Sequence, residues 1–345
     1  MPGGRSVGIR DVARAAGVSI TTVSHALNDK SGVSEGTRRR VREVADQLGY
    51  RPDPRGRHLA SGRTGLVALT VSVPTGVRTP VAEFAHNAAV IEGAAGASTR
   101  RELALVIVPS GGGVIWQRLP LDGAIVVDPS PGDPAMHELA RARVPVVTIG
   151  RITEPDPGLA WTDYVDNDFV EGTHAVLAHL RQRGAQRVGV MGAGGRESYA
   201  QDSVEAYRAW CMAATQEPWL HLIEAMDWTD IDASIRREVA LALDRADLPD
   251  AVHCLDEVMA LAVLRACAER GIRVPDDLLV SSISDRGRAE VASPSLTTLE
   301  LHPRELGAAA AGVLADLLAG LPPPVAPVFV ETTIMARAST DRRGA

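Results

Sequence analysis

Apolar positions along the first fifty residues recur at helical spacing. Val12, Ala13 and Ala16 make one short stripe, and Gly17 stands where a helix should stop. Ser19 then caps a second helix that turns Val23, Ala26 and Leu27 inward. Small Ala13 lets the second helix cross closely, Gly17 takes a positive φ, and Val23 fills the angle between the two. A third helix follows Ser34, with Val41, Val44, Ala45 and Leu48 on one face, and ends at Gly49 before Pro52. The spacing predicts an all-α helix-turn-helix head over residues 1–50. Past Thr64 the period changes. Apolar strand-like runs recur, as in GLVALTVSV, LALVIVPS, GAIVVD, VPVVTIG, RVGVMG, DAVHCL and LLVSSIS, with alanine-rich helical stretches such as Val170–Arg183 and Val258–Arg270 between them. Strands alternating with helices predict parallel sheets.

Charge adds a polarity to this plan. Residues 1–63 hold twelve Lys/Arg against six Asp/Glu, while the remainder holds 24 against 37, so a basic head of net +6 sits on a body of net −13. A basic module of this size suits a polyanion, because contacts to phosphate supply most non-specific affinity for DNA. There is no apolar run long enough for a membrane span, and MPGGRSVGIR lacks the apolar core of a signal peptide. The expectation is a cytoplasmic protein. Cys211, Cys254 and Cys267 form no CxxC pair, which argues against a zinc site or a disulfide framework, and no metal or cofactor is implied.

The second helix carries the most specific chemistry. Ser19, Ile20, Thr21, Thr22 and His25 lie toward its N-terminal end, the end that enters the major groove in helix-turn-helix proteins. Their groups are short and sized for base edges. Threonine hydrogen-bonds or touches a thymine methyl, histidine donates to a purine acceptor, and the helix N-terminus attracts phosphate. Asn28 closes the same helix and joins the candidate DNA contacts.

The stretch from Ile9 to Leu69, with DVAxxAGVS, TVSxxLN, the TRRRV helix, LGYRP and the arginine and leucine of RHL, resembles the N-terminal region of the LacI/GalR family of bacterial transcription regulators. The resemblance implies that Ile20, Thr21 and His25 read bases, that residues 51–64 form a linker whose hinge helix orders on DNA, and that Leu59 wedges into the minor groove. Arg57 in the same linker joins the candidate DNA contacts, and phosphate is the partner its charge suits. Asp53 and Pro54 suit the start of such a hinge helix, whereas Gly56 costs roughly 1 kcal/mol against a better helix former. Further along, TIGR, the VDND stretch from Asp166, DEVMALAVLRACAERGIRVPDD and PSLTTLELHPRELG extend the likeness over residues 65–345. What it implies there is an α/β two-lobed core of the periplasmic-binding-protein type, two parallel-sheet Rossmann-like subdomains with an effector cleft between them. Lobe 1 is expected at about 65–163 and 292–321 and lobe 2 at about 166–288 and 325–340, with the chain crossing near Asp163–Asp166, Ser284–Pro294 and Pro322–Pro324. The implied function is a transcriptional regulator, a repressor in most of the family, that binds a palindromic operator in double-stranded DNA as a homodimer.

The cleft departs from the family pattern. Where many members carry an effector-holding arginine this chain has Ser203 in SVEAY, the first acid of a GFDD-like stretch is Ser284 in SISD, and an aromatic pair is replaced by Val81 and Ala82. The remaining candidates for an effector, sugar-like or nucleoside-like, are Asp166, Tyr199, Trp228, Asp256 and Asp285 beside those two serines. An effector-independent regulator with a degenerate cleft is the alternative. Enzyme readings fare worse: RVGVMGAGG begins a dinucleotide fingerprint, but its third glycine position is Glu197, and GxSxG, HExxH and P-loop patterns do not occur. A secreted small-molecule binder would share the core and have no use for the basic head.

Overall fold

The structure, a computed structural model, describes residues 7–27, 31–50, 63–72, 85–109, 111, 113–154, 163–223, 227, 230–283 and 288–342. The chain divides into two compact units, Met1–Thr64 and Gly65–Ala345.

The head contains α1 (Ile9–Ala16), α2 (Ile20–Leu27) and α3 (Glu35–Gln47). Gly17 ends α1 in the left-handed region, with φ 66° and ψ 34°, as the tight turn to α2 requires. Ser34 caps α3 by accepting from the Thr37 amide at 3.4 Å. Val12, Ala13, Ala16, Val23, Ala26, Val41 and Ala45 are buried together, which is the whole of a small three-helix core. Leu48 differs from the expectation: it is exposed rather than inward. Leu48 is the C-cap residue of α3, one place past a last turn whose Ala45 is buried and whose Val44 packs on the core.

The core unit builds two parallel sheets. The first contains β1 (Leu66–Val71), β2 (Ala104–Ile107), β3 (Gly123–Val127), β4 (Val146–Ile149), β5 (Tyr164–Asn167) and β11 (Val328–Val330), in the order β11-β5-β4-β3-β1-β2. The second contains β6 (Val188–Ala193), β7 (Trp219–Ile223), β8 (Ala251–Cys254), β9 (Leu279–Ile283), β10 (Thr297–Glu300) and β12 (Thr333–Met335), in the order β12-β10-β9-β8-β6-β7. Every pairing is parallel except that of β12 with β10. Each residue of β3 and of β9 is buried, Ser281 and Ser282 of β9 included, as central parallel strands are when helices cover both faces. The covering helices are α4 (Ala85–Arg100), α5 (Pro134–Arg141) and α10 (Pro303–Leu318) on the first sheet, and α6 (Phe169–Gln182), α7 (Ser198–Ala213), α8 (Ile231–Leu243) and α9 (Glu257–Arg270) on the second.

The lobe boundaries move from the expected positions. β5 pairs with β4, so Asp166 and Asn167 belong to the first lobe and the chain crosses after them. β10 pairs with β9 in the second lobe, although residues 292–321 were expected in the first. β11 pairs with β5 in the first lobe, although 325–340 was expected in the second. Prolines mark where a loop breaks, whereas sheet membership is decided by which distant strand supplies the hydrogen bonds. The three crossings are drawn together by one side chain: the Asn167 amide nitrogen donates to the Leu301 carbonyl at 3.0 Å and the Val330 carbonyl at 2.9 Å. Among the described residues no helix is long and apolar enough to cross a membrane, and no cluster of histidine, cysteine and acids is built to hold a metal ion.

Candidate functional site

At the head, the N-terminal half of α2 projects from its core. Ile20 is 44% exposed, and Thr21 beside it is exposed too. Ser19 accepts from the Thr22 amide at 3.1 Å, and the two hydroxyls lie 2.8 Å apart. Ser19 and Thr22 therefore serve the helix cap as well as any ligand. His25 stands half-buried one turn on from Thr21 and Thr22, while Val23 and Ala26 on the opposite face are wholly buried. The surface made by Ile20, Thr21 and His25 combines a methyl-rich contact, a hydroxyl and an imidazole, which together fit base edges in a major groove. Asn28, Arg57 and Leu59 lie outside the described residues.

In the core unit the carboxyl ends of the first sheet face the start of α7, where ligands of open α/β sheets bind. Asp166, at the end of β5, is buried and accepts from the Asn167 amide at 2.8 Å, the Arg151 amide at 3.2 Å and the Ser198 hydroxyl at 3.0 Å. Burial pushes its carboxyl up to about 7, against these hydrogen bonds and with the help of nearby Asp128. Asp128 follows β3 with a left-handed φ of 48°; burial raises it to about 6, with His86 opposing and Glu197 reinforcing the shift. Tyr199 packs on Phe169 at a centroid distance of 6.0 Å, and its phenol is pushed up by burial and then by Asp128, Asp256 and Glu197. The structure thus brings Asp166, Tyr199 and Asp256 together, and adds Asp128 and Glu197, which sequence reasoning missed.

Several contacts join the two lobes at this place. Ser130 donates to Glu197 at 3.1 Å, Arg151 pairs with Asp202 at 2.5 Å, the Arg151 amide donates to Ser198 at 3.1 Å, and Thr153 donates to the Arg196 carbonyl at 2.7 Å. Gly150 makes the seam possible. Its φ is 89°, and a Cβ there would sit 3.3 Å from both the Asp128 carboxylate and the Ser198 hydroxyl.

Other candidates take structural work. Asp256 caps α9 by accepting from the Met259 amide at 2.7 Å. Ser203 is fully buried, with no hydrogen-bond partner for its hydroxyl among the described residues. Trp228, Ser284 and Asp285 lie outside the described residues. One signal for the missed acid was present: Asp128 ends the run GAIVVD, at the carboxyl end of a strand. Arg151, just past β4 in TIGR, carries a similar mark, whereas Ser130, Glu197 and Asp202 carry none.

A helix-turn-helix head with a base-sized reading face, joined to two parallel-sheet lobes that meet at a polar seam, defines the class of DNA-binding regulators. Residues 8–53 match the family described as bacterial regulatory proteins, lacI family, and residues 177–340 match the periplasmic binding protein-like domain. The chain is 31% identical over 338 residues to the HTH-type transcriptional regulator CelR of Thermobifida fusca, covering 95% of this chain and 96% of that one. It is 27% identical to the HTH-type transcriptional repressor PurR of Photobacterium profundum, over 89% of this chain and 91% of that one. Among solved structures, a CelR–cellobiose complex superposes with a TM-score of 0.69 at 27% identity, covering 96% of this chain and 99% of the other. The lac repressor dimer bound to operator and the anti-inducer ONPF shares the fold, with a TM-score of 0.75 at 21% identity over 97% and 99% of the two chains. This chain belongs to the lacI family of bacterial transcription regulators, and it is a DNA-binding regulator, not an enzyme.

Proposed function

We propose that the protein acts in the cytoplasm as a homodimeric repressor that binds a palindromic operator, and that a small molecule in the interlobe cleft sets its affinity for DNA. The observation that carries the reading is the front of α2, where exposed Ile20 and Thr21 and half-buried His25 face away from a closed core. Ser19 and Thr22 support it from the cap, and Asn28, Arg57 and Leu59 complete the proposed DNA contacts. A two-fold dimer places two such helices one DNA turn apart, which is why the operator is a palindrome. In the cleft, Asp166 and Tyr199, with Ser203, Trp228, Asp256, Ser284 and Asp285, make the proposed effector site. The relative solved as a complex with cellobiose supports a carbohydrate.

A second reading is favoured by a specific observation. Asp256 is engaged as a helix cap, Asp166 accepts three hydrogen bonds, and Arg151 is paired with Asp202, so much of the cleft's polar capacity is met by the protein itself. That supports a regulator controlled by its abundance.

An operator selected from a random DNA pool tests the first reading. His25→Ala should lose about 1–3 kcal/mol on that operator and little on random duplex. Equal loss on both would remove the base-reading role. Calorimetry of the full chain against sugars and nucleosides separates the effector readings, since binding to the folded state raises the melting temperature.

A further inference from the structure

We infer that Arg38 is a positioning residue for base reading: it grips the C-terminal turn of α2 from α3 and thereby sets where His25 stands on DNA. This rests on the reading of His25 as a base contact.

The run TRRRVR supplies Arg38, Arg39, Arg40 and Arg42 to α3, and by composition all four would be counted as phosphate partners. The structure separates one from the rest. Arg39, Arg40 and Arg42 are exposed, whereas the Arg38 side chain is only 12% exposed. Its Nη1 donates to the carbonyls of His25 and Ala26, each at 3.4 Å. Its Nε lies 3.9 Å from the Glu35 carboxylate, on its own helix.

An eight-residue helix has its final carbonyls unpaired and carries a partial negative charge at that end. A guanidinium Nη1 carries two N–H groups and a permanent share of positive charge, so it can serve two such oxygens at once from a rigid neighbour. One of the two carbonyls belongs to His25 itself, so the bond acts on the backbone from which the imidazole projects. Base contacts demand donor–acceptor distances near 3 Å, and a helix end that swings by a fraction of that loses them. Phosphate attraction is long-ranged and tolerates the same swing. Loss of Arg38 should therefore lower discrimination between sequences far more than it lowers attraction to DNA.

The test uses the full chain with the selected operator and a random duplex of equal length, over a range of salt concentrations. Arg38→Ala should weaken operator binding by about tenfold, the scale of one lost charged hydrogen bond, with the random duplex within about twofold and the salt slope unchanged. Arg38→Lys should recover part of the preference, because an ammonium still reaches a carbonyl. In a His25→Ala background, Arg38→Ala should add little further loss of preference, the coupling expected when one residue acts through the other. Arg39→Ala is the control: similar loss on both duplexes and a slope reduced by about 0.9. The inference is overturned if Arg38→Ala behaves like Arg39→Ala, if it changes binding to neither duplex, or if its effect adds in full to that of His25→Ala. Should Arg38→Ala unfold the head, as helical circular dichroism would show, Arg38→Gln and Arg38→Lys carry the comparison, and equal preference in both variants and the parent overturns it. An undiminished preference in His25→Ala refutes the base-reading role itself, and with it the route through that side chain.

Discussion

At the residue scale the cleft is governed by carboxyls held out of water. Asp128 and Asp166 sit near one another and near Glu197, and burial is the largest cause of the upward shift in both aspartates. The sign of the consequence follows from proton counts. With a folded value of about 6 against an ordinary 3.8, Asp128 keeps its proton in the native state after the unfolded chain has lost it, so stability falls as pH rises from about 4 to about 6 and stays lower above. Asparagine tolerates the left-handed φ at this position and carries no charge. Asp128→Asn should therefore raise stability by about 2 kcal/mol at pH 8 and by much less near pH 4.5, read as the difference in melting free energy from the parent. An equal gain at both pH values would mean that charge is not the cause. His253 pulls the other way, since burial lowers it to about 4 and stability is lost as pH falls from its ordinary 6.5 toward that value. The variant-minus-parent difference cancels that contribution.

At the element scale two helices of the first lobe approach closely enough to exclude side chains. A Cβ at Gly93 of α4 would lie 1.9 Å from the Arg304 carbonyl, and one at Gly307 of α10 would lie 2.0 Å from that of Val90. Both obstacles are backbone, so relief requires the helices to part. Gly93→Ala should cost more than about 2 kcal/mol through overpacking, seen as a lower melting temperature of the core with the head's helical signal unchanged. Gly312 lies on the same α10 with nothing within 4 Å of a Cβ, and Gly312→Ala should stabilise by up to about 1 kcal/mol. The pair of opposite signs on one helix separates close packing from helix propensity. The sequence shows three alike glycines in alanine-rich helices, and nothing local distinguishes them.

At the scale of the whole core unit, three strands of connection pass between the lobes, and Asn167 stitches them by donating to the first residue past β10 and the last residue of β11. Asn167→Ala would leave two carbonyls without that donor in a buried site. It should cost about 2 kcal/mol and raise amide exchange at the crossings more than in the sheet centres. Uniform exchange across both lobes would show that the crossings are held by other means.

What the sequence determined by itself is everything that depends on neighbours a few residues apart. The turn at Gly17, the cap at Ser19, the buried Val23 and Ala26, the exposed Ile20 and Thr21, and the alternation of strands and helices beyond Thr64 are all set by local period and local chemistry. The tertiary structure decided what depends on pairs far apart in the chain. It assigned β10 to the second lobe and β11 to the first, because strand partnership is a matter of hydrogen bonds between segments that no period encodes. It turned Asp256 into a helix cap and drew Asp128 and Glu197 toward Asp166 and Tyr199, joining residues from the ends of β3 and β5 and the start of α7. It also took Arg38 out of a uniform basic run. Arg39 and Arg40 beside it are arginines like itself, and only the packing of α3 against α2 puts two carbonyls within its reach.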